Sequence, residues 1–264
     1  MGSSDAGARL DPNARGLGPR APVALKLLRG IFGLLGRGLL GFKLELVGAE
    51  HLPRDSDDQP IGGWIAVGLP HVTWIEPFVM LVLLPSEPRL VWFGDARAMD
   101  RSWLRRFAFR RLGGVVPIAP GGGLGAFDDH VAQVRAVVDG GAVFALFPER
   151  GPAVAPGQAR PLAAGVGYFG LRSGAPIVPV VFGGTHELYR GRRIQMRILP
   201  AVRAADLAAE ASLSGAVTDE REAAHAVAAA LHAMTVGAVA DAHRATEPAA
   251  GARKRWRWLS HAFR

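Results

Sequence analysis

Short apolar runs alternate with amphipathic stretches over most of this chain. Residues 43–47 place their charged side chains on one side, as a half-exposed strand does, and residues 62–67, 90–93, 115–118, 143–147, 177–182 and 194–199 form further apolar, strand-like segments. Helices are predicted between them: a buried one over 77–84, stopped near Pro85, an arginine-rich one over 102–112, and others over 126–138 and 162–173. Asp219, with Glu222 three residues later, caps a last helix on which Val227, Leu231 and Met234 share a face. Strands and helices in alternation predict an α/β sheet with helices on its faces.

The amino-terminal segment reads differently. Residues 1–20 are polar and rich in Gly and Pro and are expected to be disordered, whereas from Val23 to Phe42 nearly every residue is apolar or Gly. At 100° per residue, Lys26, Arg29 and Arg37 fall on one face with Gly30 and Gly33 between them. A spanning helix would carry those cations into the bilayer at roughly 2.5–3.5 kcal/mol each. An amphipathic helix over 21–42, lying in the membrane surface, keeps them in water; the alternative is a helix packed on the protein's own core. The run starts too late and lacks the small-residue site of a cleaved signal peptide.

Composition narrows the class. The chain has 264 residues, 49% of them apolar, enough for one substantial core, so residues 43–245 are read as a single domain. It has no Cys, which excludes a disulfide framework and a thiolate zinc site, and its eight His show no metal-ligand spacing, so no metal is expected. The net charge of +8 suits an anionic partner. Residues 246–264 form a basic, aromatic tail in which Trp256, Trp258 and Phe263 interleave with Arg253, Lys254, Arg255, Arg257 and Arg264. That mixture suits a lipid headgroup layer, a solvated tail or, least well, single-stranded nucleic acid. No nucleic-acid partner is expected.

Two segments carry candidate chemistry. Pro70-His71-Val72-Thr73-Trp74-Ile75-Glu76 and Leu146-Phe147-Pro148-Glu149-Arg150-Gly151 each place ionisable groups just past an apolar strand, the edge where open α/β sheets build their sites. His71 followed by Glu76 suits a general base held in one tautomer by a carboxylate. With no Cys and no Gly-x-Ser-x-Gly elbow, a covalent nucleophile has no candidate, and direct attack by a substrate hydroxyl is the simpler chemistry. Other patterns are weaker. Gly165-Val166-Gly167-Tyr168-Phe169-Gly170 matches a dinucleotide fingerprint but does not follow a strand, so its small residues are read as letting a helix pack closely. His186 is either a surface turn or a lining of the site, and His225, His232 and His243 are read as solvated.

In order and spacing, these segments resemble the glycerolipid acyltransferases typified by 1-acylglycerol-3-phosphate acyltransferase, whose first motif is His-x4-Asp and third Phe-Pro-Glu-Gly. His71 and Glu76 match the first, Phe147-Pro148-Glu149 the third, and Ala175-Pro176-Ile177-Val178-Pro179-Val180-Val181 a fourth, Val-Pro-Val strand. Residues 103–115 are similar to the link into the second motif. The resemblance covers roughly residues 42–200. It implies a single-domain α/β fold with a mixed sheet flanked by helices, and a membrane-associated O-acyltransferase on the cytoplasmic side of the cell membrane. The donor would be acyl-CoA or acyl carrier protein as co-substrate, with no further cofactor, and the acceptor a lipid hydroxyl such as lysophosphatidic acid or a related glycolipid. His71 and Glu76 would be catalytic.

The departures concern the acceptor. Glu76 stands for Asp; Ile118-Ala119-Pro120 stands where the family commonly has Asp-Arg; Arg150-Gly151-Pro152 replaces Gly-Thr-Arg-Ser. Glu149, Arg150 and Arg160 remain as substrate-binding candidates. The amides of Gly122 and Gly123, ahead of a helix, either bind an anion in place of the missing arginine or only form a turn. A catalytically inactive lipid-binding module and an acyl thioesterase are the alternatives to a transferase.

Overall fold

The computed structural model describes residues 18–95, 114–118, 124–149, 155–213, 219–249 and 254–262. The arginine-rich helix expected over 102–112, together with Gly122, Gly123 and Arg150, lies outside the described residues. Seven strands build one sheet: β1 (Lys43–Val47), β2 (Trp64–Leu69), β3 (Leu90–Asp95), β4 (Val115–Ile118), β5 (Val143–Leu146), β6 (Ile177–Gly183) and β7 (Arg193–Ile198). Their order is β1-β7-β6-β2-β5-β3-β4, and every pair is parallel except β6 with β7. The sheet is therefore mixed. Where β2, β5 and β6 end, β7 and β1 begin, so one edge gathers all five strand termini.

β2 and β6 are buried along their whole length, as strands covered on both faces must be. On one face Ile65, Val67, Phe144, Ile177 and Val181 pack against Val134 of α3 (Leu124–Asp139), Phe169 of α4 (Gly165–Ser173) and Val227 and Leu231 of α6 (Glu220–Thr246). On the other, Ala66, Ala145, Val180 and Phe182 meet Ile75, Val79 and Met80 of α2 (Ile75–Leu83). A further helix, α5 (Ala204–Leu213), had no counterpart in the sequence reading.

The glycine run over 165–170 is used for close packing. A Cβ on Gly167 would strike the backbone of Ala224, and one on Gly170 would lie 2.7 Å from the side chains of Ala204 and Ile177. Gly167→Ala gains about 1 kcal/mol of helix propensity but forces α4 off α6, an overpacking cost of about 1–3 kcal/mol. The urea midpoint should fall; an unchanged midpoint would show that α6 yields freely.

Asp219 caps α6 as expected, its carboxylate accepting the Glu222 N–H at 2.8 Å. The buried face of the helix differs from expectation: from Leu231 it continues to Thr235, whose hydroxyl donates to the Leu231 carbonyl, while Met234 turns to solvent at 44% exposure. In length and apolarity α6 would pass for a membrane span, but eight residues of one face are buried against the domain.

The amino-terminal helix α1 (Val23–Leu34), continued by a π-helical turn over Leu35–Leu39, both packs on the domain and leaves an apolar face uncovered. Leu25 is buried, Phe32 meets Phe78 of α2 at 4.3 Å between ring centres, and Arg29 donates to the Val82 carbonyl. Val23, Leu27, Ile31 and Leu34, spaced one turn apart, are exposed, as is Leu39 at the end of the π-helical turn. At the other end, the tail folds back. Leu259 is buried in the short helix α7 (Leu259–Ala262), the Ser260 hydroxyl both accepts from and donates to the backbone of Leu188, and Lys254 and Arg257 pair with Glu187.

Candidate active site

Strand β2 delivers His71 to the sheet edge, and α2 starts four residues later, so Glu76 sits in the first turn of α2 beneath the intervening loop. Glu76 is fully buried, and its oxygens are occupied by that loop: both accept from the Thr73 N–H at 3.0 and 3.1 Å, and Oε1 also takes the Thr73 hydroxyl and, at 3.4 Å, the Val72 N–H. Oε2 lies 3.4 Å from His71 Nδ1. That is longer than a normal hydrogen bond, as catalytic contacts often are before a substrate draws them in. Nδ1 is buried while the side chain as a whole is 42% exposed, so the open edge of the ring is the one that carries Nε2.

Two further residues set the ring. Phe147, at the end of β5, stacks on His71 with ring centres 4.4 Å apart. It can do so because residue 68 on β2 is glycine: a Cβ there would collide with the Phe147 ring. Glu149 acts on the backbone. One of its oxygens accepts the His71 N–H at 2.6 Å and the other accepts the Arg160 N–H at 2.7 Å, so the carboxylate joins the loop after β2 to the loop before α4. Burial raises the Glu149 carboxyl above its ordinary range, and the two N–H bonds oppose that rise. The structure places His71, Glu76 and Glu149, singled out from the sequence, beside one another, and adds the stacking of Phe147, which the sequence did not mark. Of Arg160, the backbone is part of this arrangement.

Beside His71 opens a cleft of about 170 Å³, bounded by Val72, Gly157, Phe182, Thr185, His186 and His243. His186 is thus no surface turn, and His243, expected to be solvated, has a side chain only 19% exposed. Their rings meet edge to face at 5.0 Å, and His243 Nε2 lies 3.4 Å from Glu247. Of the three histidines of α6, His225 is exposed and His232 is partly buried. Burial, with Arg192 and His243 close by, pushes the His186 imidazole down to about 4. Because the unfolded chain protonates first, at about 6.5, stability falls as pH drops from about 6.5 towards 4. His186→Gln removes that penalty, so its Tm should drop less than that of the parent between pH 7 and pH 5. Equal drops would show a freely titrating ring.

No known family model matches the chain, and no curated protein does. Among solved structures the chain is similar to the 1-acyl-sn-glycerophosphate (LPA) acyltransferase PlsC from Thermotoga maritima, at 17% identity and a TM-score of 0.52, over 86% of this chain and 81% of that one. What that likeness shows is the fold: this chain has a glycerolipid acyltransferase-like α/β fold, with a single mixed sheet flanked by helices.

Proposed function

We propose that this protein is an O-acyltransferase that moves a fatty acyl group from a thioester, acyl-CoA or acyl carrier protein, to a lipid hydroxyl. The observation that carries the reading is the half-exposed His71 imidazole backed by the fully buried Glu76 carboxylate, at the sheet edge. His71 Nε2 takes the acceptor hydroxyl proton as its oxygen bonds to the thioester carbonyl carbon. The tetrahedral intermediate then expels the thiolate, which leaves as thiol with the proton returned by the imidazolium; Glu76 holds the ring and offsets its charge. Glu149 positions the base through the His71 amide. Arg150, Arg160 and the amides of Gly122 and Gly123 are the groups assigned to an acceptor phosphate, of the kind lysophosphatidic acid carries. The likeness to a solved acyltransferase supports this reading at the level of the fold.

The membrane is the second partner. The exposed stripe of Val23, Leu27, Ile31, Leu34 and Leu39 suits the acyl boundary, with the basic tail beside anionic headgroups on the cytoplasmic side. Burying one such side chain contributes about 1.5–3 kcal/mol, so Leu27→Gln with Ile31→Gln should cut vesicle partitioning by at least about tenfold. Unchanged flotation would remove α1 from the contact.

Purified protein, an acyl thioester and host lipids test the reaction itself, with free thiol and new lipid species both followed. Thiol together with a new ester identifies the acceptor. Thiol with only free fatty acid would make the protein a thioesterase, and inertness with CoA and carrier-protein donors alike would leave a binding module.

A further inference from the structure

We propose that the open groove where β1 and β7 begin is the seat of the phosphate-bearing nucleotide end of a coenzyme A thioester. The groove holds about 690 Å³ and is lined by Lys43, Glu45, Arg190, Gly191, Arg193 and Glu247, among others. Its charges are unequally matched. Arg193 is held by Glu45 at 3.0 Å and Glu247 lies against His243, whereas Lys43 and Arg190 have no acidic partner among the described residues. Two exposed cations at the mouth of a concave site are a fit for phosphate oxygens.

The surroundings favour a nucleotide. The Arg190 guanidinium lies 5.2 Å from the centre of the Trp256 ring, which is 38% exposed beside the groove. Trp256 has φ of +63°, the left-handed region that a bulky residue enters at a cost of about 1–3 kcal/mol. It is held there by the Arg190 N–H on the Arg255 carbonyl and the Leu259 N–H on its own carbonyl. The strained backbone thus keeps a partly exposed aromatic ring against Arg190 at the rim of the groove, an arrangement that offers a guanidinium to a phosphate and a ring edge to a base.

Position supplies the second argument. His71 follows β2, and β6, β7 and β1 lie successively beyond it, so the groove is two to three strand spacings from the base, roughly 10–14 Å. The cleft beside His71 lies between: His243 lines the cleft, Glu247 lines the groove, and the two side chains are 3.4 Å apart, so cleft and groove adjoin. A pantetheine arm laid along this edge brings its thioester to His71 while its phosphates rest at Lys43 and Arg190.

The donor assignment rests on the acyl-transfer reading, so the test has one arm that does not. Adenosine 3′,5′-bisphosphate, titrated into the full chain and followed by calorimetry, should bind, and its Kd should rise about tenfold or more in Lys43→Gln/Arg190→Gln. In the second arm, the ratio of kcat/KM for acyl-CoA over acyl-pantetheine should fall by a similar factor in the same variant. Lys43→Glu, a change at an exposed position, repeats both measurements should the double variant unfold early. No bisphosphate binding by the parent, or an unchanged Kd and donor ratio in the variants, overturns the site. Binding lost in the variants of a protein that transfers no acyl group keeps the site and overturns the reaction.

Discussion

Replacing His71 by Ala should lower kcat by about 10²–10⁴ and leave KM nearly unchanged, because a general base acts in the transition state and contributes little to ground-state binding. The fold should survive the change. The His71 side chain is 42% exposed, and its one buried polar atom makes no short hydrogen bond, so the variant loses a ring stacked on Phe147 and little else. Steady-state kinetics of thioester consumption, with a thermal melt alongside, checks both halves. Activity retained within a few-fold would take the base away from His71 and leave the site without one.

Glu76→Gln should lower both rate and stability. Glu76 is buried, and its two oxygens accept from the Val72 and Thr73 amides and the Thr73 hydroxyl. A glutamine must turn an NH₂ towards these donors, leaving one or more unsatisfied at about 1–3 kcal/mol. For a domain of this size that is a Tm loss of several degrees. The rate should fall by about 10²–10⁴, since the ring loses the carboxylate that selects its tautomer. Glu76→Asp, one methylene shorter, keeps the charge and should recover part of the rate. If Asp proves no better than Gln, the carboxylate matters only as a support for the loop.

The edge that bears His71 was legible because strand ends leave local marks. An apolar run followed by Pro70-His71 or Pro148-Glu149 signals a strand that stops and a polar group that begins, and β2, β5 and β6 lie within two residues of their expected bounds. The hidden features lacked such marks. α5 is alanine-rich, which favours a helix by propensity, but its weak amphipathy leaves no periodic apolar face for a pattern reading to find. α4 starts at Gly165, later than expected, because Glu149 pairs with Leu162 in an isolated β-bridge and holds that residue extended. His186 and His243 lie on different elements far apart in sequence, and only the packing of α6 on β6 makes them neighbours. Ser260 meets Leu188 through the backbone, and Glu149 likewise binds two amides. Backbone partners have no residue type to recognise, so such contacts are silent in a sequence.

The tether made by Glu149 sets a rule for anyone who would redesign this site. One carboxylate grips the amide of His71 with one oxygen and the amide of Arg160 with the other, so the loop before α4 and the base proposed at His71 are tied to each other. Reshaping that segment to admit a different hydroxyl would move the base as well. Selectivity and turnover would then change together, and variants chosen for a new acceptor should be screened on kcat as well as on affinity.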